Sequence, residues 1–128
     1  MKNYQGIIIE ESLENKDVLK DVKIVSTKVE KVTAKHQTPW LKQWTLHTVE
    51  ITEQKAEKIA DVISRNLETK HTAWYADFKH DNFHYIIFPE KVFKVNRRND
   101  NEYEEAKQHG ISLGIPDYQL DFSPEVNR

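Results

Sequence analysis

The chain switches between two hydrophobic periods, and the switch points outline its elements. Tyr4 to Ser12 holds a β-branched run, Ile7-Ile8-Ile9, and reads as a strand. Val22 to Val32 sets Ile24, Ser26 and Lys28 against Val25, Thr27 and Val29, a second strand whose more apolar face is the odd-numbered one. Between them, Leu13 to Asp21 is a charged connector anchored by Val18 and Leu19, with room for a single helical turn. Pro39 makes Lys35 to Trp40 a loop, because it removes a backbone donor and biases Thr38 away from helix. A third strand, Gln43 to Ile51, puts His47 on one face with Thr45, Val49 and Ile51, and Trp44, Leu46 and Thr48 on the other. Apolar groups on both faces imply a central strand or one covered on both sides.

The period then changes. Thr52 suits a helix N-cap and Glu53 the first turn, and Ala56, Ile59, Ala60, Ile63 and Leu67 follow at helical spacing. The helix spans about 16 residues, roughly 24 Å at the helical rise. Trp74 to Phe88 returns to period two and reads as a β-hairpin, with Trp74, Ala76, Phe78, Phe83, Tyr85 and Ile87 on an apolar face and Tyr75, Asp77, His84, Ile86 and Phe88 on a mixed one. Val92 to Val95 is a further short strand or a bent continuation after Pro89-Glu90. Asn99-Asp100-Asn101 can cap a second helix from Glu102 to about Gln108, with Gly110 as its left-handed stop and Ile111 or Leu113 folding back on it. The segment from Ile115 to Phe122 keeps three large apolar residues and is expected to dock; residues 123–128 are expected to fray.

Strands in series with helices inserted singly predict one α+β domain over 1–128: a mainly antiparallel sheet of about five strands, packed on one long helix, with a second short helix near the C-terminus. A ferredoxin-like arrangement or a curved, half-open barrel would both fit. With 38% hydrophobic and 31% charged residues the chain is polar for a globular domain, but 3 Trp, 5 Tyr and 5 Phe supply large anchors for a core.

The absence of cysteine excludes disulfides, thiolate metal sites and cysteine nucleophiles within this chain. The first apolar run is too short for a signal peptide or a membrane span, so a cytoplasmic location is the default expectation and no membrane partner is expected. A net charge of -2 gives no general attraction to nucleic acid. Lys91, Lys94, Arg97 and Arg98 could track a phosphate backbone, but the acidic run that follows weakens their field, and a solvated, charged strand edge explains them better, so no nucleic-acid partner is expected.

The candidate chemistry centres on the hairpin. Asp77 and His84 share a face; pairing through Phe78 and Phe83 would set them directly opposite, and a shorter turn at Asp81-Asn82 would make them diagonal neighbours. A carboxylate on one imidazole nitrogen leaves the other free as a general acid or base. The alternative is a pair that only stabilises the hairpin. His47 joins this site if its strand neighbours the hairpin, and is otherwise a satisfied core histidine. Tyr75, Trp44 and Trp40 could wall a recess for a planar or apolar ligand, or pack in the core, with Trp40 the tryptophan most expected to be exposed. The six histidines lack a recognised ligand spacing, and no His-Glu-x-x-His, glycine-rich phosphate loop or Gly-x-Ser-x-Gly motif occurs, so neither a metal nor a cofactor is expected.

The segments 38–51, 74–79 and 84–88 resemble a family of small, functionally uncharacterised prokaryotic proteins. That family has no assigned reaction, and the resemblance implies no residue roles. Two functions follow from the residues themselves: a domain that binds a small molecule, with Asp77 and His84 as catalytic candidates and Tyr75, His47, Trp44 and Trp40 as substrate-binding candidates, or a non-catalytic protein-interaction or oligomerisation module.

Overall fold

In a computed structural model of the chain, which describes residues 3–33, 40–70, 74–115 and 119–120, six strands form one antiparallel sheet with a helix on each face. The strands are β1 (Tyr4–Ile9), β2 (Lys23–Lys31), β3 (Gln43–Ile51), β4 (Ala76–Lys79), β5 (Phe83–Phe88) and β6 (Lys91–Asn96), and the helices are α1 (Glu53–Asn66) and α2 (Asp100–Ser112). The order β2-β3-β1-β4-β5-β6 leaves an open sheet with β2 and β6 as its edges, rather than a ferredoxin-like arrangement. β1 is antiparallel to both β3 and β4, so α1 carries the chain across β1 before the hairpin begins. No helix of the described residues is long and apolar enough to cross a membrane.

Each face has its own core. Tyr4, Ile8, Val49, Phe78, Tyr85 and Ile87 are buried against Ala56, Ile59, Ala60 and Ile63, the apolar stripe of α1. On the opposite face Ile86, Phe88 and Val95 are buried against Tyr103 and Ala106 of α2, together with Ile115 and Leu120. The hairpin therefore keeps its period-two division, but on the mixed face His84, Ile86 and Phe88 are buried too because α2 lies over them, with Tyr75 and Asp77 partly buried beside them.

Several elements differ from expectation for local reasons. β1 ends at Ile9, and Glu10–Ser12 and Lys16–Lys20 form two 3₁₀ turns, with Val18 buried between them and the sheet. In β2 a bulge between Ile24 and Ser26 resets the alternation: Ile24 stands opposite Val49, Thr27 opposite His47 and Val29 opposite Thr45, all on the α1 side. Thr52 holds the N-cap position of α1 without a side-chain cap bond, whereas Asn99 caps α2 by accepting from Asn101 N and Glu102 N. Gly110 is not the stop of α2 but an interior position, where a Cβ would lie 2.7 Å from Leu120 Cδ2 and 3.1 Å from Phe88 Cε1. The helix runs on to Ser112 with Leu113 as its C-cap, and Gly114 at φ 91° follows, with Ile115 N donating to Gly110 O and Gly114 N to Ile111 O. Ile115 and Leu120 fold back onto the sheet; Ile111 and Leu113 are exposed. The loop at Thr38-Pro39, most of the expected docking segment and the tail at 123–128 lie outside the described residues.

Candidate functional site

The hairpin takes the shorter of its two possible turns. His80 N donates to Phe83 O at 3.0 Å across Asp81-Asn82, and the ladder pairs Lys79 with His84, Phe78 with Tyr85 and Asp77 with Ile86. Asp77 and His84 are thus diagonal neighbours, and His84 Nε2 sits 2.7 Å from Asp77 Oδ2. The ring's other nitrogen, Nδ1, is 3.1 Å from the Tyr103 hydroxyl. A carboxylate only accepts, so in the neutral ring Nε2–H donates to Asp77 and Nδ1 accepts from Tyr103 O–H. This is the wiring of an acid–imidazole–hydroxyl triad. It is closed by α2, however, and His84 is 1% exposed. Tyr75 lies on the same side, its ring 5.9 Å from Phe88 and its hydroxyl donating to Gln119 O, so it ties the C-terminal segment to the sheet.

His47 does not join this group. β1 separates its strand from the hairpin, and it lies on the α1 side of the sheet while Asp77 and His84 lie on the other. There it forms a chain of its own: Nε2 is 3.1 Å from Glu10 Oε1, and Nδ1 is 2.9 Å from Thr27 Oγ1. Glu10 also has Lys16 Nζ at 3.6 Å. The bond from His47 holds the Glu10 carboxyl below its ordinary range, against the opposing effect of its own partial burial. Beside it, Glu11 accepts from Thr45 N and Thr45 Oγ1 at 2.6 and 2.8 Å. The two glutamates that end β1 therefore pin β3, and through His47 they pin Thr27 of β2.

A third histidine serves the turn. His80 Nδ1 accepts from Asn82 N and Phe83 N, which leaves Nε2–H to donate to Glu53 Oε2 at 3.1 Å, and the ring stacks on Tyr4 at 4.0 Å. Burial, then Tyr85 and Glu53, pushes the Tyr4 phenol well above its usual value; burial, then Glu57 and Glu53, raises that of Tyr85. His109 is wedged between Phe88 and Phe93 at 5.0 and 5.5 Å, and its buried Nε2 has no hydrogen-bond partner. Burial, then Lys91, lowers its pKa.

The remaining candidates scatter. Trp44 packs against Trp74 at 5.4 Å, and Trp40 is exposed at the start of the turn before β3. The described residues include no group of three or more His, Asp or Glu able to hold a metal ion. A groove of about 660 Å³ between α1 and β5–β6 is lined by Gln54, Glu57, Lys58, Asp61, Tyr85, Val92 and Lys94. It holds none of the catalytic or substrate-binding candidates; Lys94 of the basic strand lines it, and Tyr85 points to the face opposite His84. The basic strand is also engaged: Lys91 lies over Phe93 at 5.2 Å, Lys94 over Phe83 at 4.5 Å, and Arg97 Nη1 donates to His80 O at 2.7 Å.

The two sheet edges differ sharply. β6 is flanked by α1 and α2, and its lysines fold onto rings. In β2 every residue but the half-buried Glu30 is exposed, and Ile24, Val25 and Val29 keep 41%, 54% and 55% of their surface in solvent. The sequence pattern had placed Val25 and Val29 on the more apolar face and Ile24 on the other, with no sign that all three would stay exposed. Compared with known proteins, the chain matches no family model, no curated protein and no solved structure.

Proposed function

We propose that the protein is a non-catalytic interaction module, which recognises an extended segment of another polypeptide by adding it as a strand beside β2. The observation that carries this reading is the bare edge: nine residues of strand, exposed along almost their whole length, with three apolar side chains in solvent. An edge strand presents unpaired backbone donors and acceptors at regular spacing, and an added strand satisfies them while its side chains select the sequence. The edge is also held in shape. Its ladder to β3 is regular from Ser26 to Lys31, and the Thr27–His47–Glu10 chain fastens its middle. A preformed edge loses little conformational freedom on binding, which favours affinity. The bulge at Val25 and the lysines are devices that limit indiscriminate pairing, so recognition there is selective.

The small-molecule reading, with Asp77 and His84 as its catalytic pair, has less support. A general base needs a nitrogen that can reach substrate, and both nitrogens of His84 are engaged beneath α2. Its companions His47 and Trp44 stand elsewhere in the sheet, and Trp40 lies in the turn before β3.

Panning a library of random nonapeptides on the immobilised protein tests the proposal. Enrichment of sequences with period-two hydrophobicity, which bind at least about tenfold more weakly to an Ile24→Ser/Val29→Ser variant, is expected. Enriched peptides that bind this variant as well as wild type would count against the edge as the site.

A further inference from the structure

Resting on the strand-edge reading, we propose that the segment recognised by β2 is acidic and amphipathic, with apolar residues alternating with Asp or Glu. The bulge sorts the side chains of β2 into two unlike rows. Ile24, Thr27 and Val29 lie on the α1 side, opposite Val49, His47 and Thr45; Lys23, Ser26, Lys28 and Glu30 lie on the other, opposite Glu50, Thr48, Leu46 and Trp44. A strand laid along this edge alternates its own side chains in the same way. One set meets the exposed Ile24 and Val29, where only apolar groups gain by contact. The other meets Lys23 and Lys28.

Charge fixes the chemistry of that second set. β2 carries three lysines against one glutamate in a chain whose net charge is -2, so the edge is locally basic on an acidic molecule. Lys28 reaches Glu30 Oε1 at 3.5 Å and keeps 76% of its side chain in solvent, which leaves room for a carboxylate from a partner. A second copy of the chain fits worse. A second β2 would bring the same excess of lysine to the ladder, three lysines against one glutamate on each strand, and like charges facing across a ladder destabilise it. Asp or Glu facing Lys23 and Lys28 turns that repulsion into attraction.

The test uses the full chain and fluorescein-labelled nonapeptides of alternating valine and glutamate, valine and lysine, or valine and threonine. A fourth peptide holds the valines and glutamates in two blocks. In fluorescence anisotropy the valine–glutamate peptide is expected to bind about tenfold tighter than the valine–lysine one at low salt, with the gap narrowing at high salt. The block peptide should bind poorly, and Lys28→Glu should reverse the preference between acidic and basic peptides. Equal binding of the acidic, basic and neutral alternating peptides overturns the acidic partner; if all of them weaken with Ile24→Ser/Val29→Ser, the strand-edge reading still stands. Block and alternating peptides that bind alike, or an acidic preference unmoved by Lys28→Glu, overturn the proposal, as does the absence of binding by any of the four.

Discussion

Gly6→Ala should be among the most damaging substitutions of a single methyl group in this chain. Gly6 is the middle of the three residue pairs, Gln5–Lys79, Gly6–Phe78 and Ile7–Asp77, that join β1 to β4 and so join the β2-β3-β1 half of the sheet to the hairpin half. A Cβ at this position would lie 2.1 Å from the Asp77 carbonyl oxygen and 2.6 Å from Phe78 Cα, both backbone atoms. Restoring an ordinary contact needs a movement of about 1 Å, and neighbouring strands are held near 4.8 Å apart by hydrogen bonds that weaken steeply on stretching. Overpacking costs about 1–3 kcal/mol, and two loosened ladder bonds add about 1 kcal/mol each. The expected loss is therefore about 3–5 kcal/mol, a large part of the roughly 5–15 kcal/mol that holds a domain folded. Gly110→Ala is the control. Its Cβ would meet the ends of the Leu120 and Phe88 side chains, which can yield, and alanine gains about 1 kcal/mol over glycine inside a helix. Urea unfolding followed by tryptophan fluorescence measures both. A Gly6→Ala loss below about 0.5 kcal/mol, or one equal to that of Gly110→Ala, would refute the reasoning.

Three further outcomes are expected. Burial in the folded state, then Lys91, holds His109 below the ordinary imidazole value of 6.5, so the unfolded chain takes up the proton first as pH falls. Stability is then complete above about pH 6.5 and declines as pH drops toward the lower folded value. His109→Phe should flatten that decline in urea midpoints, and identical pH slopes for variant and wild type would exclude the effect. Glu90 sits at φ 58°, in the left-handed region, so Glu90→Gly should raise stability by about 0.5–1 kcal/mol in thermal unfolding; a lower melting temperature would contradict it. Asn99→Ala removes the acceptor for Asn101 N and Glu102 N and should cost about 1 kcal/mol, read by circular dichroism during urea titration; an unchanged midpoint would show that the cap carries nothing.

What the sequence made legible was local. Period-two alternation through Trp74–Phe88 separates the two buried faces of the hairpin, and helical spacing through Ala56, Ile59, Ala60 and Ile63 identifies the stripe of α1, because each pattern is decided within a few residues. The diagonal contact of Asp77 with His84 was one of two registers, and only the turn geometry selects it. Whatever depends on strand order was hidden. The insertion of β1 between β3 and β4 sends His47 away from His84, and no residue near either histidine signals it. Tyr103, Glu10, Thr27 and Glu53, the partners of the three buried histidines, come from distant segments and escaped notice for the same reason. α2 was read short because its buried residues, Tyr103, Ala106 and Gly110, form a sparse stripe in which glycine looks like a terminator. The exposure of β2 was equally invisible: Val25, Thr27 and Val29 spell a buried face, whereas the bulge aligns Ile24, Thr27 and Val29 in one row that stays exposed.

Backbone amide hydrogen exchange, with and without the valine–glutamate nonapeptide, tests the interaction surface most directly. The account predicts that the peptide slows exchange within residues 23–31 and leaves β6, residues 91–96, unchanged. Protection confined to β6 or to the groove beside α1, with β2 exchanging as freely as before, would contradict it.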